Sequence, residues 1–344
     1  MTAPGIPSGS EPVIRIGART SPLARAQADQ VAGLLQARGF RTEIVGITTT
    51  GDVDQRALTQ IGGTGVFVGA VREALHDRRI DVAVHSLKDL PTAPAAELEV
   101  AAHPVREDTR DVLVGRTLEN LRDGDRIGTG SPRRALQLIE LAHRLGIELE
   151  IVEIRGNVDT RIAHAAQGRV AAVILAAAGL RRLHHLPPES AQKGDDSITE
   201  VKGLAAHILS VDDMIPAPGQ GALGLEIHES LSNPVATAVR ALDDLVTRSE
   251  TLVERAFLAT LEAGCTAPVG ARAEVRGVRG TDLDLTLRVV IGRTVLDNLS
   301  EPITTASPLR RQLSGILTDP GQFGAEAAVS ILDELRTPQR ARHA

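Results

Sequence analysis

Along Val13-Ile-Arg-Ile apolar and polar positions alternate, and the spacing then lengthens to that of a helix at Val31, Leu34 and Leu35, which predicts a strand followed by a helix. Ser21-Pro22 supplies an N-cap and a proline at the first helical position, and Gly39 is the expected stop. Thr42-Glu-Ile-Val-Gly-Ile reads as the next strand, and Asp81-Val-Ala-Val as a short strand of the fully buried kind. The same succession then returns. Asp125-Arg-Ile-Gly leads to a second Ser131-Pro132 start, a helix through Leu136, Leu138, Ile139 and Leu141 stopped at Gly146, and the strand Leu149-Glu-Ile-Val-Glu-Ile. Asn157 is placed to cap a further helix ending at Gly168, before the buried strand Val170-Ala-Ala-Val-Ile-Leu. Such alternation predicts parallel sheets covered on both faces. The tail differs: Asp282-Leu-Asp-Leu-Thr-Leu-Arg-Val alternates strictly, as a half-exposed strand of an antiparallel sheet would, and Ala325 to Leu335 reads as a closing helix. The fold class is therefore α/β, two α/β lobes with a smaller α+β C-terminal domain.

A chain of 344 residues exceeds the size at which one core keeps growing, so two or three domains are expected. Residues 1–12 are rich in Pro, Gly and Ser without periodicity and read as a disordered lead-in, and Leu186-Pro-Pro to Asp196 as a polar surface loop. No run of eighteen apolar residues and no charged-then-apolar amino terminus is present, so neither a membrane span nor an export signal is expected, and the reading is cytoplasmic. Net charge is −6, which argues against a nucleic-acid partner. Only four aromatic residues occur, Phe40, Phe67, Phe257 and Phe323, so stacking platforms for bases or flavins are scarce.

Within this acidic chain the cations are arranged. Arg19-Thr-Ser21-Pro22 and Thr129-Gly-Ser131-Pro132-Arg133-Arg134 are two strand-to-helix junctions of one construction, each expected to aim backbone N–H groups and arginines at an anion. Arg155 and Arg161 follow another strand end. Each charge-assisted bond contributes about 1.5–3 kcal/mol, so several together would select a ligand with many carboxylates. Lys88 is the only lysine before Lys193 and stands beside Asp89; both can reach one site only if the chain leaves the strand there, which Pro91 favours. An aspartate among arginines stays ionised and can steady a developing cation or relay a proton.

Cys265 is the single cysteine, so its chemistry, if any, is a bond to something other than the protein. A lone thiol is elsewhere a small hydrophobe, but Gly264 and Pro268 set this one in a turn. Ile61-Gly-Gly-Thr-Gly-Val-Phe67 lacks the Lys-Ser/Thr of a phosphate loop and reads as a mobile loop beside a cleft, with Phe67 as an apolar contact. His184-His185 has no third partner nearby, and no metal is expected.

At these residues the chain resembles the porphobilinogen deaminase (hydroxymethylbilane synthase) family, from Val13 to the last helix. Six ordered segments carry it: Arg15-Ile-Gly-Ala-Arg-Thr-Ser-Pro-Leu-Ala, His85-Ser-Leu-Lys-Asp-Leu-Pro-Thr, Gly128-Thr-Gly-Ser-Pro-Arg-Arg, Arg155-Gly-Asn-Val-Asp-Thr-Arg, Ala217-Pro-Gly-Gln-Gly-Ala and Glu262-Ala-Gly-Cys-Thr-Ala-Pro-Val-Gly. The resemblance implies lobes like those of a periplasmic binding protein, with domains at 13–107 plus 222–240, 108–221 and 241–344. It implies a dipyrromethane cofactor held by a thioether to Cys265. Four porphobilinogens are then joined head to tail with loss of ammonia, and water releases the linear tetrapyrrole, which passes to uroporphyrinogen-III synthase. In that family Asp89 would be the catalytic carboxylate, steadying pyrrole N–H groups and the cation formed as ammonia leaves. Ser86, Lys88, Thr129, Ser131, Arg133, Arg134, Arg155, Arg161 and Gln220 would bind the cofactor, while Arg19, Ser21, Phe67, Arg155 and Arg182 would face substrate. The protein would be a monomer with no nucleic-acid or membrane partner. The family often carries lysines in the glycine-rich loop where this chain has Thr64 and Gly69, a departure that bears on loop contacts to substrate and leaves Asp89 and Cys265 untouched.

Two other readings stay open on the residues alone. One is a non-catalytic two-lobed anion-binding protein, which the expected lack of an export signal, the third domain and the Lys-Asp pair disfavour. The other is a relative that has lost its chemistry, which retention of Asp89 and Cys265 disfavours.

Overall fold

A computed structural model describes residues 13–48, 65–187, 197–231, 234–262, 267–280, 282–292 and 308–336. The expected lead-in at 1–12, the loop at 188–196, residues 61–64 of the glycine-rich segment and Cys265 lie outside the described residues. The chain divides into two compact units, one of residues 1–85, 95–102 and 224–243, the other of residues 86–94, 103–223 and 244–344.

In the first unit β1 (Val13–Arg19), α1 (Pro22–Gln36), β2 (Arg41–Ile47), α2 (Gly65–His76) and β3 (Val82–Ser86) are followed by β4 (Leu98–Ala102), and the chain later returns with strand Leu223–His228 and helix Val235–Arg240. The returning strand lies between β3 and β4 in a five-stranded sheet. β1 runs parallel to β2 and β3, but the returning strand is antiparallel to β4, so the sheet is mixed where a parallel one was expected. Alternation places Ile14 and Ile16 wholly inside. Ser21 caps α1 as expected, accepting the Ala24 N–H at 3.3 Å. The helix ends on Ala37 in the right-handed region, and Gly39 takes the positive φ two residues on. The stretch Ile61 to Phe67, read as a loop, is helical from Gly65, because Val68, Val71, Ala74 and Leu75 form a buried stripe that extends the helix back to the glycines.

The second unit holds two sheets. Strands β5 (Asp111–Val114), β6 (Asp125–Gly128), β7 (Leu149–Val152), β8 (Ala172–Ala176), β9 (Ser197–Val201) and β10 (Leu204–Ile208) form the first, in the order β7-β6-β8-β5-β10-β9. Only β7, β6 and β8 are parallel; β5 reverses against β8, and β10 against both β5 and β9. Helices α3 (Pro132–Leu145), α4 (Val158–Ala166) and α5 (Ala177–Arg182) connect these strands. Val112, Val114, Val173 and Leu175 pack with Ile162 and Leu180 on one face, while Leu113 and Ile174 pack with Leu138 and Met214 on the other, which is why Val112–Val114 and Ala172–Ala176 are apolar throughout. With the returning strand and helix of the first unit counted as β11 and α6, the chain continues through α7 (Leu245–Thr260), β12 (Val269–Arg279), β13 (Asp282–Ile291), β14 (Leu309–Leu317) and α8 (Pro320–Arg336).

β12, β13 and β14 form an antiparallel sheet with β13 at its centre. Phe257 of α7 and Ala328 and Ile331 of α8 cover one face over Leu285, Leu287 and Val289. β13 alternates over Asp282–Val289 as expected, with Asp282, Asp284 and Arg288 half-buried; only at its end are both faces covered, because Val290 packs against Leu136 of α3 and Ile215. Two α/β sheets with a smaller α+β layer bear out the expected class.

Helices α7 and α8 touch closely at Gly324, where an added Cβ would stand 2.2 Å from the Val253 carbonyl oxygen. Gly324→Ala must push backbone away from backbone, so it is expected to lower stability by about 1–3 kcal/mol, read as a lower denaturant midpoint with an unchanged slope.

Candidate functional site

The site begins where β3 ends. After Ser86 the chain leaves the strand in a 3-10 turn, Leu87–Asp89, as Pro91 led us to expect. Leu87 and Leu90, three apart on the turn, are buried anchors, and the Leu87 N–H is held by the Ala222 carbonyl at 3.0 Å. Lys88 is left half-buried and Asp89 exposed.

Lys88 Nζ donates to Gln220 Oε1 at 3.4 Å. Gln220 is fully buried, and its amide nitrogen donates to Asp111 Oδ1 at 2.9 Å and to the Thr109 carbonyl at 2.8 Å. Asp111 opens β5 with no exposed surface, and its two oxygens accept from Arg133 Nη2 at 2.8 Å and Arg134 Nη2 at 2.7 Å. Each guanidinium uses its other terminal nitrogen on a carbonyl, Arg133 on Ile215 and Arg134 on Ile174. Arg134 Nε, though buried, has no hydrogen-bond partner among the described residues.

Burial acts to raise the Asp111 carboxyl, yet the two arginines hold it well below the usual carboxylate range. For Lys88 desolvation dominates: with Arg134 and Arg133 adding repulsion, and Asp89 and Asp111 opposing, its ammonium is pushed down to about 8. Burial first, then repulsion from Arg134 and Arg155 against the pull of Asp89, brings Arg161 to about 10. Arg182, near Glu107, is likewise desolvated to about 10 and donates to the Gly221 carbonyl at 2.8 Å. Among the described residues, Asp89 and Asp111 are the carboxylates that act on Lys88, Arg133, Arg134 and Arg161. Four cations against two carboxylates leave positive charge to be neutralised by a ligand.

Several expected residues have other occupations. The Thr129 hydroxyl accepts the Ser131 N–H at 3.1 Å and the Thr129 N–H goes to Val152, so these two amides are not free for an anion, contrary to expectation. Ser131 stands at the N-cap position of α3 but makes no capping bond. Arg155 is exposed and pairs with Glu153. Asn157 caps α4 through the Thr160 N–H at 2.8 Å, beside Gly156 at φ +104°, where a side chain would strike Thr160, and the Gly156 carbonyl accepts Arg161 Nε at 2.8 Å. Arg19 and Ser21 belong to the first unit, with Ser21 engaged as the α1 cap; Phe67 lies in the first turn of α2.

Sequence reading missed Asp111, Arg106, Glu254 and Arg255. Asp111 left one signal, an acid opening the apolar run Asp111-Val-Leu-Val. In the first unit His76, Glu97 and His228 have metal-compatible spacing. His228 Nδ1, however, accepts the Ser230 N–H at 3.1 Å and faces Arg78 Nη2 at 3.0 Å, a cation that opposes another.

A family model described as "Porphobilinogen deaminase, dipyromethane cofactor binding domain" matches residues 14–236, and one described as "Porphobilinogen deaminase, C-terminal domain" matches 249–307. The chain is 46% identical to porphobilinogen deaminase 1 of Streptomyces coelicolor over 92% of this chain and 95% of that protein. The chain belongs to the porphobilinogen deaminase family. It is also 48% identical to the Leifsonia xyli porphobilinogen deaminase over 76% of each chain. Membership makes it an enzyme of tetrapyrrole biosynthesis whose cofactor is dipyrromethane, and the non-catalytic binding reading is not favoured. The cation cluster falls in the cofactor-binding match and Cys265 in the C-terminal match. A periplasmic substrate-binding protein of Coxiella burnetii overlays 69% of this chain and 94% of its own at 17% identity and TM-score 0.38, too loose a likeness to decide anything. Among the described residues no helix is long and apolar enough to cross a membrane.

Carboxylate binding at Lys88 needs its proton. Citrate, ionised throughout the range, is expected to bind Cys265→Ala protein most tightly below about pH 8 and about tenfold more weakly once Lys88 is neutral above it. Calorimetric titration across pH reads this, and Lys88→Arg should flatten the decline.

Proposed function

We propose that this protein condenses four porphobilinogens head to tail, releasing four ammonias, on a dipyrromethane joined by a thioether to Cys265, and that water then frees the linear tetrapyrrole hydroxymethylbilane. The observation that carries the reading is the under-neutralised set Lys88, Arg133, Arg134 and Arg161 around Asp89. The dipyrromethane fits these residues. Each of its rings bears two carboxylates, and the buried Arg134 Nε, without a partner among the described residues, together with the desolvated Lys88 and Arg161, suits such a ligand.

When bound, the group supplies an electron-rich ring carbon to which the next unit is added. The chain's own residues do the rest. Lys88, Arg133, Arg134 and Arg161, with Ser86, Thr129, Ser131, Arg155 and Gln220, orient the cofactor by its side-chain carboxylates. Arg19, Ser21, Phe67, Arg155 and Arg182 would face incoming substrate, of which Arg182 is desolvated and Arg155 exposed. Asp89 would accept the substrate's pyrrole N–H and steady the positive charge that develops as ammonia departs. A carboxylate aimed at charge that appears only in the transition state lowers the barrier rather than merely tightening binding. Three domains, at 13–107 with 222–240, 108–221 and 241–344, a monomeric cytoplasmic state and delivery of product to uroporphyrinogen-III synthase complete the proposal.

The intact mass of wild type beside Cys265→Ala tests the tether. An excess of two porphobilinogens less two ammonias, beyond the residue difference and absent from the variant, is expected. An unmodified wild type that stays unmodified after incubation with porphobilinogen would refute attachment at Cys265. Asp89→Asn is expected to keep that mass and the fold while losing turnover about a hundredfold or more. Near-normal turnover would remove Asp89 from its role.

A further inference from the structure

The Lys88-Asp89 turn is only three residues long, and one weak backbone bond, Leu90 N–H to the Leu87 carbonyl at 3.2 Å, closes it. So short a 3-10 turn does not hold its own shape in water. The buried Leu87 and Leu90 and the Leu87 N–H bond to the Ala222 carbonyl anchor its ends, and its carbonyls are held from α7. Arg255 Nη1 donates to the Leu87 carbonyl at 3.2 Å and to the Leu90 carbonyl at 2.8 Å, and Nη2 donates to the Pro91 carbonyl at 2.7 Å. One planar guanidinium therefore brackets Lys88 and Asp89 from both sides, binding the carbonyls before and after them. The preceding helix residue, Glu254, has no exposed surface and performs the matching task on the facing turn: its carboxylate accepts the Gly219 N–H at 2.7 Å and pairs with Arg106, whose Nε donates to the Gln220 carbonyl at 2.9 Å. Gln220 is the partner of Lys88.

We propose that Arg255 is a positioning residue for Asp89: by holding the Leu87, Leu90 and Pro91 carbonyls it fixes the backbone from which the Asp89 carboxylate projects. It touches neither substrate nor cofactor in this scheme and acts through the turn. The inference rests on the reading of Asp89 as the catalytic carboxylate. Lysine cannot replace it, because a single ammonium lacks the fixed fork that reaches three carbonyls at once. Displacing a carboxylate by about 1 Å from the charge it serves costs on the order of a hundredfold in rate.

The test compares cofactor-loaded Arg255→Ala and Arg255→Lys with wild type and with Asp89→Asn. Both Arg255 variants are expected to keep the cofactor mass, to lower turnover by about ten- to a hundredfold with little change in KM, and to exchange the amide hydrogens of the 87–92 segment at least tenfold faster while exchange in β8 and β13 is unchanged. Millimolar methylguanidinium should restore part of the turnover of Arg255→Ala and slow that exchange. Should Arg255→Ala not fold, Arg255→Lys, which keeps the charge and the apolar stem, carries the comparison. Unchanged exchange in the 87–92 segment, or turnover within twofold of wild type while Asp89→Asn is inactive, overturns the proposal. If Asp89→Asn is instead active, the assignment of Asp89 fails, and the exchange measurement alone still decides whether Arg255 fixes the turn.

Discussion

Asp111 is the constraint around which the site is built. A carboxylate with no exposed surface is costly to ionise, and two adjacent guanidiniums on the first turn of α3 repel each other; each problem is resolved only by the other. A buried cluster of this kind is weak evidence for net stability, since its desolvation cost offsets most of its attraction, but removing one member strands the rest. Its effect is geometric. One carboxylate holds Arg133, Arg134 and the Gln220 amide at set places, Gln220 holds Lys88, and the cluster still carries excess positive charge. On the proposed function the site is thereby prepared for a polyanion before any arrives, so little of the binding energy goes into rearranging the protein.

Short-range features of this arrangement were legible in the sequence. Ser21-Pro22, Asn157 and the exit from β3 at Pro91 depend on residues two or three apart, and they formed as read. Arg133, Arg134 and Arg161 were read as anion-directed because they cluster after strand ends, where the junctions also offer backbone N–H groups. Their pairing with Asp111 was not, since an acid at the head of an apolar strand does not reveal a partner 22 residues away. Nor does any local pattern show that Arg255 meets carbonyls 164 to 168 residues earlier.

At the end of β13 and at the start of α2 packing decided what the local pattern did not. A period of two in β13 states which residues face one way, but not whether a second layer covers the other side, and Leu136 and Ile215 supply that layer. At Gly65 the glycines lower helix propensity by about 1 kcal/mol each, while the apolar stripe from Val68 to Leu75 repays that by burial. At Gly65 tertiary packing overrode a local signal, and at Val290 it added what that signal left open. The mixed sheets belong here too, because strand direction is set by which element returns to fill an edge, and alternation of strands with helices does not reveal a late return such as β11.

Helix α7 unites these long-range contacts. Glu254 and Arg255 reach the two turns that carry Gln220 and the Lys88-Asp89 pair, and in sequence Cys265 follows Arg255 by ten residues. On the proposed mechanism the turn that carries the carboxylate serving each addition is thus referred to one helix, and the growing chain is tied covalently at Cys265. A covalent tether and a carboxylate held by its turn cannot both stay beside the reacting ring as the chain lengthens. The added rings must fold back or slide within the space between, and cations that bind through side-chain carboxylates, held by charge more than by shape, suit a ligand that changes its grip with every addition.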